Sequence, residues 1–198
     1  IDAGNKAVEL IKKSVKSTFN KNVLTGIGSF GSLYNLKDII SDYENPVLVQ
    51  SIDGVGTKTI IARKMKKYNT IGIDLVSACC NDITVMGAQP LTFLDYIASD
   101  KMNPTVIKKI VAGMAFACRE NNIALAGGET AEMPDTYLSG EHDLVGTITG
   151  IVDKKNIIEF DWWQEHKLFD IDFIFTPSRH FSGRGAFDRA KSLWGGWV

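Results

Sequence analysis

The chain has 198 residues, of which 44% are hydrophobic and 23% are charged, the proportions of an ordinary globular protein with one sizeable core. Its net charge of −1 argues against a broad basic surface for nucleic acid, so any recognition of phosphate must be local. No apolar run approaches the ~20 residues that a membrane span needs. We therefore expect neither a nucleic-acid partner nor a membrane partner.

The three cysteines, Cys79, Cys80 and Cys118, fit no zinc-binding spacing. Neighbouring cysteines rarely form a disulfide with each other. Small buried thiols are typical of proteins in a reducing compartment. The sequence thus predicts free cysteines and a cytoplasmic location.

Apolar periodicity predicts helices and strands that alternate along the chain. Helices are expected at 3–18, 58–67, 71–86 and 104–121. Strands are expected at 47–52, 91–98, 123–126 and 144–152. This order predicts an α/β (α+β) fold with a mixed sheet that is flanked by helices.

The run Ser51-Ile-Asp-Gly-Val-Gly-Thr-Lys58 at the end of the first predicted strand carries the most chemistry. Two glycines at alternate positions let backbone N–H groups approach a ligand closely. Asp53 can hold a hard cation, and Lys58 can meet a phosphate group. The spacing is neither that of a P-loop nor GxGxxG. The run predicts a magnesium-nucleotide site, and a tight Asp-Gly turn is the simpler alternative.

Four acids lie at the edges of apolar segments: Asp53, Asp74, Asp82 and Glu129. Asp74 and Asp82 are about 80° apart around the predicted helix and about 12 Å apart along it. Ionised carboxylates are rarely buried unless they are paired or bound to metal. We expect the four acids to converge on Mg²⁺ and phosphates; capping of helices and turns is the alternative for each acid alone.

The composition changes after about residue 155. All four tryptophans and six of the ten phenylalanines lie beyond residue 159, whereas none of the five methionines does. We therefore predict a domain over 1–152 and a divergent, aromatic-rich tail over 153–198. The tail is interpreted as the remnant of the start of a further domain or as an artefact of the sequence.

A series of motifs over residues 1–152 resembles, in unbroken order, the aminoimidazole ribonucleotide synthetases, also called phosphoribosylformylglycinamidine cyclo-ligases. The most diagnostic strings are IDAGN at 1–5, SIDGVGTK at 51–58, TIGIDLV at 70–76, GAQP at 87–90, FLDY at 93–96 and GGETAEMP at 127–134. The resemblance implies the ATP-binding N-terminal domain of that enzyme. In this family, the sheets of two such domains join into a barrel across a homodimer, with helices outside.

The resemblance also implies a reaction, with ATP and Mg²⁺ as cofactors. ATP phosphorylates the formyl amide oxygen of formylglycinamidine ribonucleotide, an amidine nitrogen attacks that carbon, phosphate leaves, and the imidazole ring closes. Such chemistry needs neutralised phosphoryl charge and a fixed geometry of attack.

Carried over residue by residue, the resemblance implies three groups of site residues. The catalytic group is Lys12, Asp53 and Asp82. The residues expected to bind ATP and phosphate are Gly26, Gly28, Ser29, Phe30, Gly31, Gly54, Gly56, Thr57, Lys58, Asn81, Gly128 and Thr130. The expected metal ligands are Asp53, Asp74, Asp82 and Glu129.

Two alternatives remain open. The pattern Asp82-x4-Gly87-Ala88-x-Pro90 is shared by a wider superfamily, which includes selenophosphate synthetase and thiamine-phosphate kinase. The family's second domain has no clear counterpart in the sequence, which is compatible with a truncated, non-catalytic dimerisation module.

Overall fold

The computed structural model describes residues 2–177 and the backbone of residues 195–197. The helices are α1 (Asp2–Lys16), α2 (Lys37–Ile40), α3 (Lys58–Met65), α4 (Asn69–Thr84) and α5 (Pro104–Glu120), followed by a 3₁₀ turn at Lys154–Asn156. The strands are β1 (Pro46–Gly54), β2 (Gln89–Ser99), β3 (Ala124–Glu132), β4 (His142–Asp153), β5 (Glu165–Leu168), β6 (Ile171–Pro177) and β7 (Gly195–Trp197).

The first four strands form one mixed sheet in the order β1-β4-β2-β3. β4 pairs antiparallel with both β1 and β2, whereas β2 and β3 run parallel. Helices α4 and α5 pack against each other, and α4 packs against β1, β2 and β4. The predicted mixed sheet flanked by helices is therefore confirmed.

The core lies between this sheet and the helices that cover one of its faces. Phe93 and Ile97 of β2 are fully buried there, as are Leu75 of α4 and Met114 of α5. Helix α5 begins where the sequence predicts, because Pro104 occupies its first turn and the Asn103 side chain accepts hydrogen bonds from two N–H groups of that turn. Hydrophobic burial thus fixes the helical layer on one side of the sheet.

Helices α4 and α5 approach to backbone contact at two glycines. A Cβ atom at Gly72 would lie 2.8 Å from the backbone nitrogen of Met114 and still closer to the carbonyl oxygen of Ile110. A Cβ atom at Gly113 would collide with the backbone of Asn69. The absence of a side chain at both positions permits this separation, which fixes the height of α4 above the sheet.

The structure extends one predicted strand well beyond its expected end. The sequence predicts a strand at 123–126, whereas β3 continues through Gly127 and Gly128 to Glu132. Glycine weakens the strand pattern in a sequence, but parallel pairing with β2 keeps this segment extended. The short helix α2 and strands β5–β7 were not predicted.

The described chain divides into two units, Ile1–Ile157 and Ile158–Val198. The second unit contains a three-stranded antiparallel sheet in the order β5-β6-β7. The predicted boundary at 152/153 stays a prediction, and residues 178–194 of the predicted tail lie outside the described residues. Among the helices that the structure describes, none is long and apolar enough to cross a membrane.

We expect Gly113→Ala to destabilise the first unit by about 1–3 kcal/mol, the usual cost of overpacking a well-packed interior. The new methyl group would meet the backbone of Asn69, which cannot move without shifting α4. The measurement is urea unfolding followed by circular dichroism. Gly4→Ala is the matched control, because the nearest atom to its Cβ, the Met102 sulfur, is 3.9 Å away. Equal stability of the two variants would contradict the proposed backbone contact.

Candidate active site

The end of β1 presents Ser51 and Asp53 to the face of the sheet that α4 covers. Since side chains alternate along a strand, Ile52 between them points to the opposite face. The Ser51 hydroxyl donates a hydrogen bond of 2.7 Å to Oδ2 of Asp82, on α4. Oδ1 of Asp53 accepts a 2.7 Å hydrogen bond from the backbone N–H of Gly54. The strand end and the helix are thus joined through one carboxylate.

Asp53 and Asp82 both lie close to the thiol of Cys79, because the charges of both carboxylates affect its pKa. Burial raises the pKa of Cys79 to about 11, and the charges of Asp53 and Asp82 both add to that rise. The thiol therefore stays protonated and serves as a packing residue. All three cysteines are free and buried, as the sequence predicts.

The chain leaves β1 through Gly56, which has a φ of 54°. Glycine adopts this left-handed conformation without strain, so the turn into α3 can be tight. Lys58, the first residue of α3, then lies 3.4 Å from the carboxylate of Asp74. Both side chains are largely exposed, so solvent screens this ion pair and it contributes little to stability.

The four acids do not form one cluster in the structure. Asp74 and Asp82 belong to different turns of α4, about 12 Å apart along its axis. Gly128 lies in the same row across the sheet as Asp53. Glu129 is the next residue along β3, so it faces the opposite side of the sheet from Asp53. Among the described residues, no group of three or more His, Cys, Asp or Glu is placed to hold a metal. The expected convergence is corrected to one adjacent pair, Asp53 and Asp82; the ligand role of each acid stays a prediction.

Other predicted site residues lie elsewhere. Lys12 is exposed on α1, which packs on α5 and on β3, the edge of the sheet opposite β1. The glycine-rich loop at 26–31 is the tip of a hairpin closed by the Val23–Tyr34 bridge, with Phe30 fully exposed. No described hydrogen bond or ion pair joins Lys12 or this loop to Asp53 or Asp82. Asn81 is exposed beside Asp82, and Thr130 is partly buried on β3.

Sequence reasoning missed Asp95, which lies in one row across the sheet with Asp53, Gly146 and Gly128. Burial raises the pKa of Asp95 to about 7, and the charge of Glu129 adds to the rise. A Cβ atom at Gly128 would collide with the Asp95 side chain and backbone, so the glycine makes room for the carboxyl group. The signal in the sequence was an acid in the middle of the apolar FLDY strand.

A cleft of about 230 Å³ opens beside the end of β1. One wall is the turn before α3, with Thr57, and α3 itself, with Arg63; the other is the turn that leads into β4, including Tyr137 and Glu141. Arg63 and Glu141 form a 3.3 Å ion pair that joins the two walls. His142 also lines this cleft.

Comparison with known proteins identifies the class to which this fold and site belong. Residues 36–152 match the family described as "AIR synthase related protein, N-terminal domain". The chain therefore belongs to the AIR synthase related family, as the motifs predict.

Its relatives are phosphoribosylformylglycinamidine cyclo-ligases. The chain is 49% identical over 158 residues to the enzyme of that name from Limosilactobacillus reuteri, covering 80% of this chain and 45% of that protein. It is 48% identical over 196 residues to the enzyme of that name from Xylella fastidiosa, covering 97% and 54%. The chain spans about half the length of the curated relatives it matches.

Solved structures share the fold at low sequence identity. A thiamine-monophosphate kinase from Stenotrophomonas maltophilia has a TM-score of 0.62 at 20% identity, covering 78% of this chain and 45% of that one. The hydrogenase maturation protein HypE, solved in complex with ATP, has a TM-score of 0.53 at 17% identity, covering 73% and 39%. These likenesses establish the fold alone.

We expect the stability of the chain to fall with rising pH because of Asp95. Its pKa is raised from 3.8 to about 7 by folding, so the folded state binds more protons than the unfolded state between these values. Over that interval this group lowers the free energy of unfolding by up to ~1.4 kcal/mol per pH unit.

The asparagine of Asp95→Asn cannot ionise, so the free energy of unfolding of this variant should lack the pH dependence that comes from Asp95. The measurement is urea unfolding of both proteins at several values between about pH 4 and pH 8. The difference between them isolates Asp95 from the other titrating groups. Parallel pH profiles would show that the Asp95 carboxyl titrates normally.

Proposed function

We propose that this chain provides the ATP-binding N-terminal domain of a phosphoribosylformylglycinamidine cyclo-ligase. The full reaction converts formylglycinamidine ribonucleotide and ATP to aminoimidazole ribonucleotide, ADP and phosphate in purine biosynthesis. The observation that carries the proposal is the Asp53–Ser51–Asp82 arrangement at the end of β1. The relatives named for this activity, at about half identity over most of the chain, support it.

The residues at this strand end match the needs of phosphoryl transfer. Ser51 donates to one oxygen of Asp82, whose residue is exposed. The backbone after β1 turns at Gly56, where a Cβ atom would meet no other atom within 4 Å, so a ligand can approach the main chain there. The hydrogen bonds to Asp82 and Asp53 fix the positions of two carboxylates that could hold a cation against the phosphates of a nucleotide.

The donor set also fits Mg²⁺, which binds carboxylate oxygens and the phosphates of its nucleotide. Asp53 and Asp82 would supply the carboxylates. Lys58 would meet phosphate, because its ion pair with Asp74 is exposed and weakened by solvent. Bound there, Mg²⁺ would neutralise charge on the transferring phosphoryl group. Three free, buried cysteines fit a reducing compartment, so we assign the enzyme to the cytoplasm.

Asp82→Asn should weaken binding of Mg-ATP by about tenfold or more, because it removes a charge-assisted contact worth ~1.5–3 kcal/mol. The amide oxygen can still accept from Ser51, so the fold should be retained. Isothermal titration with ATP, with and without Mg²⁺, measures the change. Glu120→Gln removes a charge from the exposed end of α5 and should bind as the unaltered chain does. Unchanged affinity in a folded Asp82→Asn protein would remove this carboxylate from the site.

The reaction itself is tested by incubating the chain with ATP and formylglycinamidine ribonucleotide. Mass spectrometry then detects aminoimidazole ribonucleotide directly. Product formation would support the proposal that this chain catalyses the ring closure by itself. Mg-ATP binding without product supports a nucleotide-binding domain that needs the remainder of the protein.

We further propose a homodimer formed through the face of the sheet that the helices leave open. Ile52, Thr147 and Leu94 lie in one row across β1, β4 and β2 on that face. Ile52 is 67% exposed, and Leu48 on the same face of β1 is 56% exposed. Neighbouring apolar side chains on an exposed sheet favour association with another apolar surface. Facing sheets from two chains would give the barrel that the family resemblance implies.

Ile52→Lys should convert the dimer to a monomer, because it places a charge in the middle of the apolar row. Sedimentation velocity at several concentrations measures the change. Ile61→Lys is the control, since Ile61 is 59% exposed on α3 and off the sheet. A dimer that persists in Ile52→Lys, or a monomeric unaltered chain, would contradict the proposed interface.

A further inference from the structure

The cleft between α3 and the turn leading into β4 has a size that suits part of a ligand. Its volume is about 230 Å³. Pockets for drug-sized ligands usually enclose ~300–1,000 Å³. A space of this size suits one polar group at the end of a longer molecule. It adjoins Gly56 and Thr57, directly after the strand end that carries Asp53.

The charges that line this cleft leave one carboxylate uncompensated. Arg63 is neutralised by Glu141 at 3.3 Å and also donates to the carbonyl oxygen of Ser139 at 3.5 Å. Asp143 is half-buried and accepts only a 2.9 Å hydrogen bond from the N–H of Leu144, through Oδ1. Among the described residues, Asp143 is in no ion pair. The lining therefore carries a net negative charge.

The ring of His142, which also lines the cleft, adds no positive charge to it. Nδ1 of His142 lies 3.1 Å from the carbonyl oxygen of Gly140, so this nitrogen carries the proton. Burial lowers the pKa of His142, which keeps the ring neutral and makes Nε2 an acceptor. Nε2 is buried without a hydrogen-bond partner. Burial and then the charge of Asp143 raise the pKa of Tyr137, which locates that carboxylate beside the phenol.

The uncompensated carboxylate of Asp143 calls for a ligand group that donates hydrogen bonds and carries positive charge. A phosphate group is unsuited, since the arginine of this cleft is already paired. An amidinium group has N–H donors that match a carboxylate in one plane. We propose that this cleft binds the amidine group of formylglycinamidine ribonucleotide, with Asp143 accepting its hydrogen bonds. The inference rests on the proposed function, because the substrate comes from it.

The test compares two ligands that differ only in this group. One is formylglycinamidine ribonucleotide, and the other is the matched amide, in which an oxygen replaces the amidine nitrogen. The unaltered 198-residue chain should bind the amidine about tenfold or more tightly, because only the amidine supplies the charge-assisted bond. Isothermal titration measures both affinities.

Asp143→Asn should abolish this preference by weakening the amidine alone, with affinity for the amide unchanged within about twofold. The asparagine oxygen can still accept from Leu144, so folding should be retained. Asp135→Asn is the matched control: it removes the same charge from an exposed residue of the turn before β4 that does not line the cleft. This control should keep the full preference.

Binding of neither ligand, or equal binding of both by the unaltered chain, overturns the inference. A preference that survives in folded Asp143→Asn also overturns it. Titration of the same samples with Mg-ATP separates the two proposals, because nucleotide binding tests the proposed function and the amidine preference tests the cleft. Normal ATP binding without amidine preference would refute only the cleft assignment.

Discussion

The backbone contact between α4 and α5 is the constraint on which the site depends. Gly72 and Gly113 allow the two helices to lie closer than any larger residues would permit. Helix α4 therefore lies at a defined height above the sheet, pressed against β1, β2 and β4. At that height Asp82 meets the hydroxyl of Ser51 at 2.7 Å. A side chain at either glycine would shift the helix and separate that pair before any ligand was involved.

The two-residue period of the strands gives the two faces of the sheet different roles. Ser51 and Asp53 face the helices, whereas Ile52 between them faces the open side. The same division holds on β2. Asp95 lies in the same row as Asp53 and faces the helices, whereas Leu94 lies in the same row as Ile52 and faces the open side. A one-residue slip of register would move the polar side chains of a strand to the open face and its apolar side chains to the face under the helices. The antiparallel pairing of β4 with both neighbours therefore maintains the proposed nucleotide face and the proposed dimer face together.

Much of this arrangement could be predicted from the sequence, and the rest depends on contacts that a sequence does not display. Apolar periodicity predicted the main helices and strands, and the glycines after Asp53 indicated the strand end. The orientation of Glu129 depends on the pairing of β2 with β3, which shifts register at Phe93/Leu94. A local pattern cannot reveal such a shift. Asp74 pairs with Lys58, and Asp82 accepts a hydrogen bond from Ser51. Both contacts depend on packing between different elements of the fold.

The balance of charge at this end of the sheet explains why the proposed chemistry requires a metal. Lys58 is paired with Asp74, and Arg63 is paired with Glu141. The carboxylates of Asp53 and Asp82, in no ion pair among the described residues, would repel a triphosphate. A divalent cation between the acids and the phosphates converts that repulsion to attraction. The same excess of negative charge, continued at Asp143, favours a cationic group on the substrate, so one electrostatic field suits both partners of the proposed reaction.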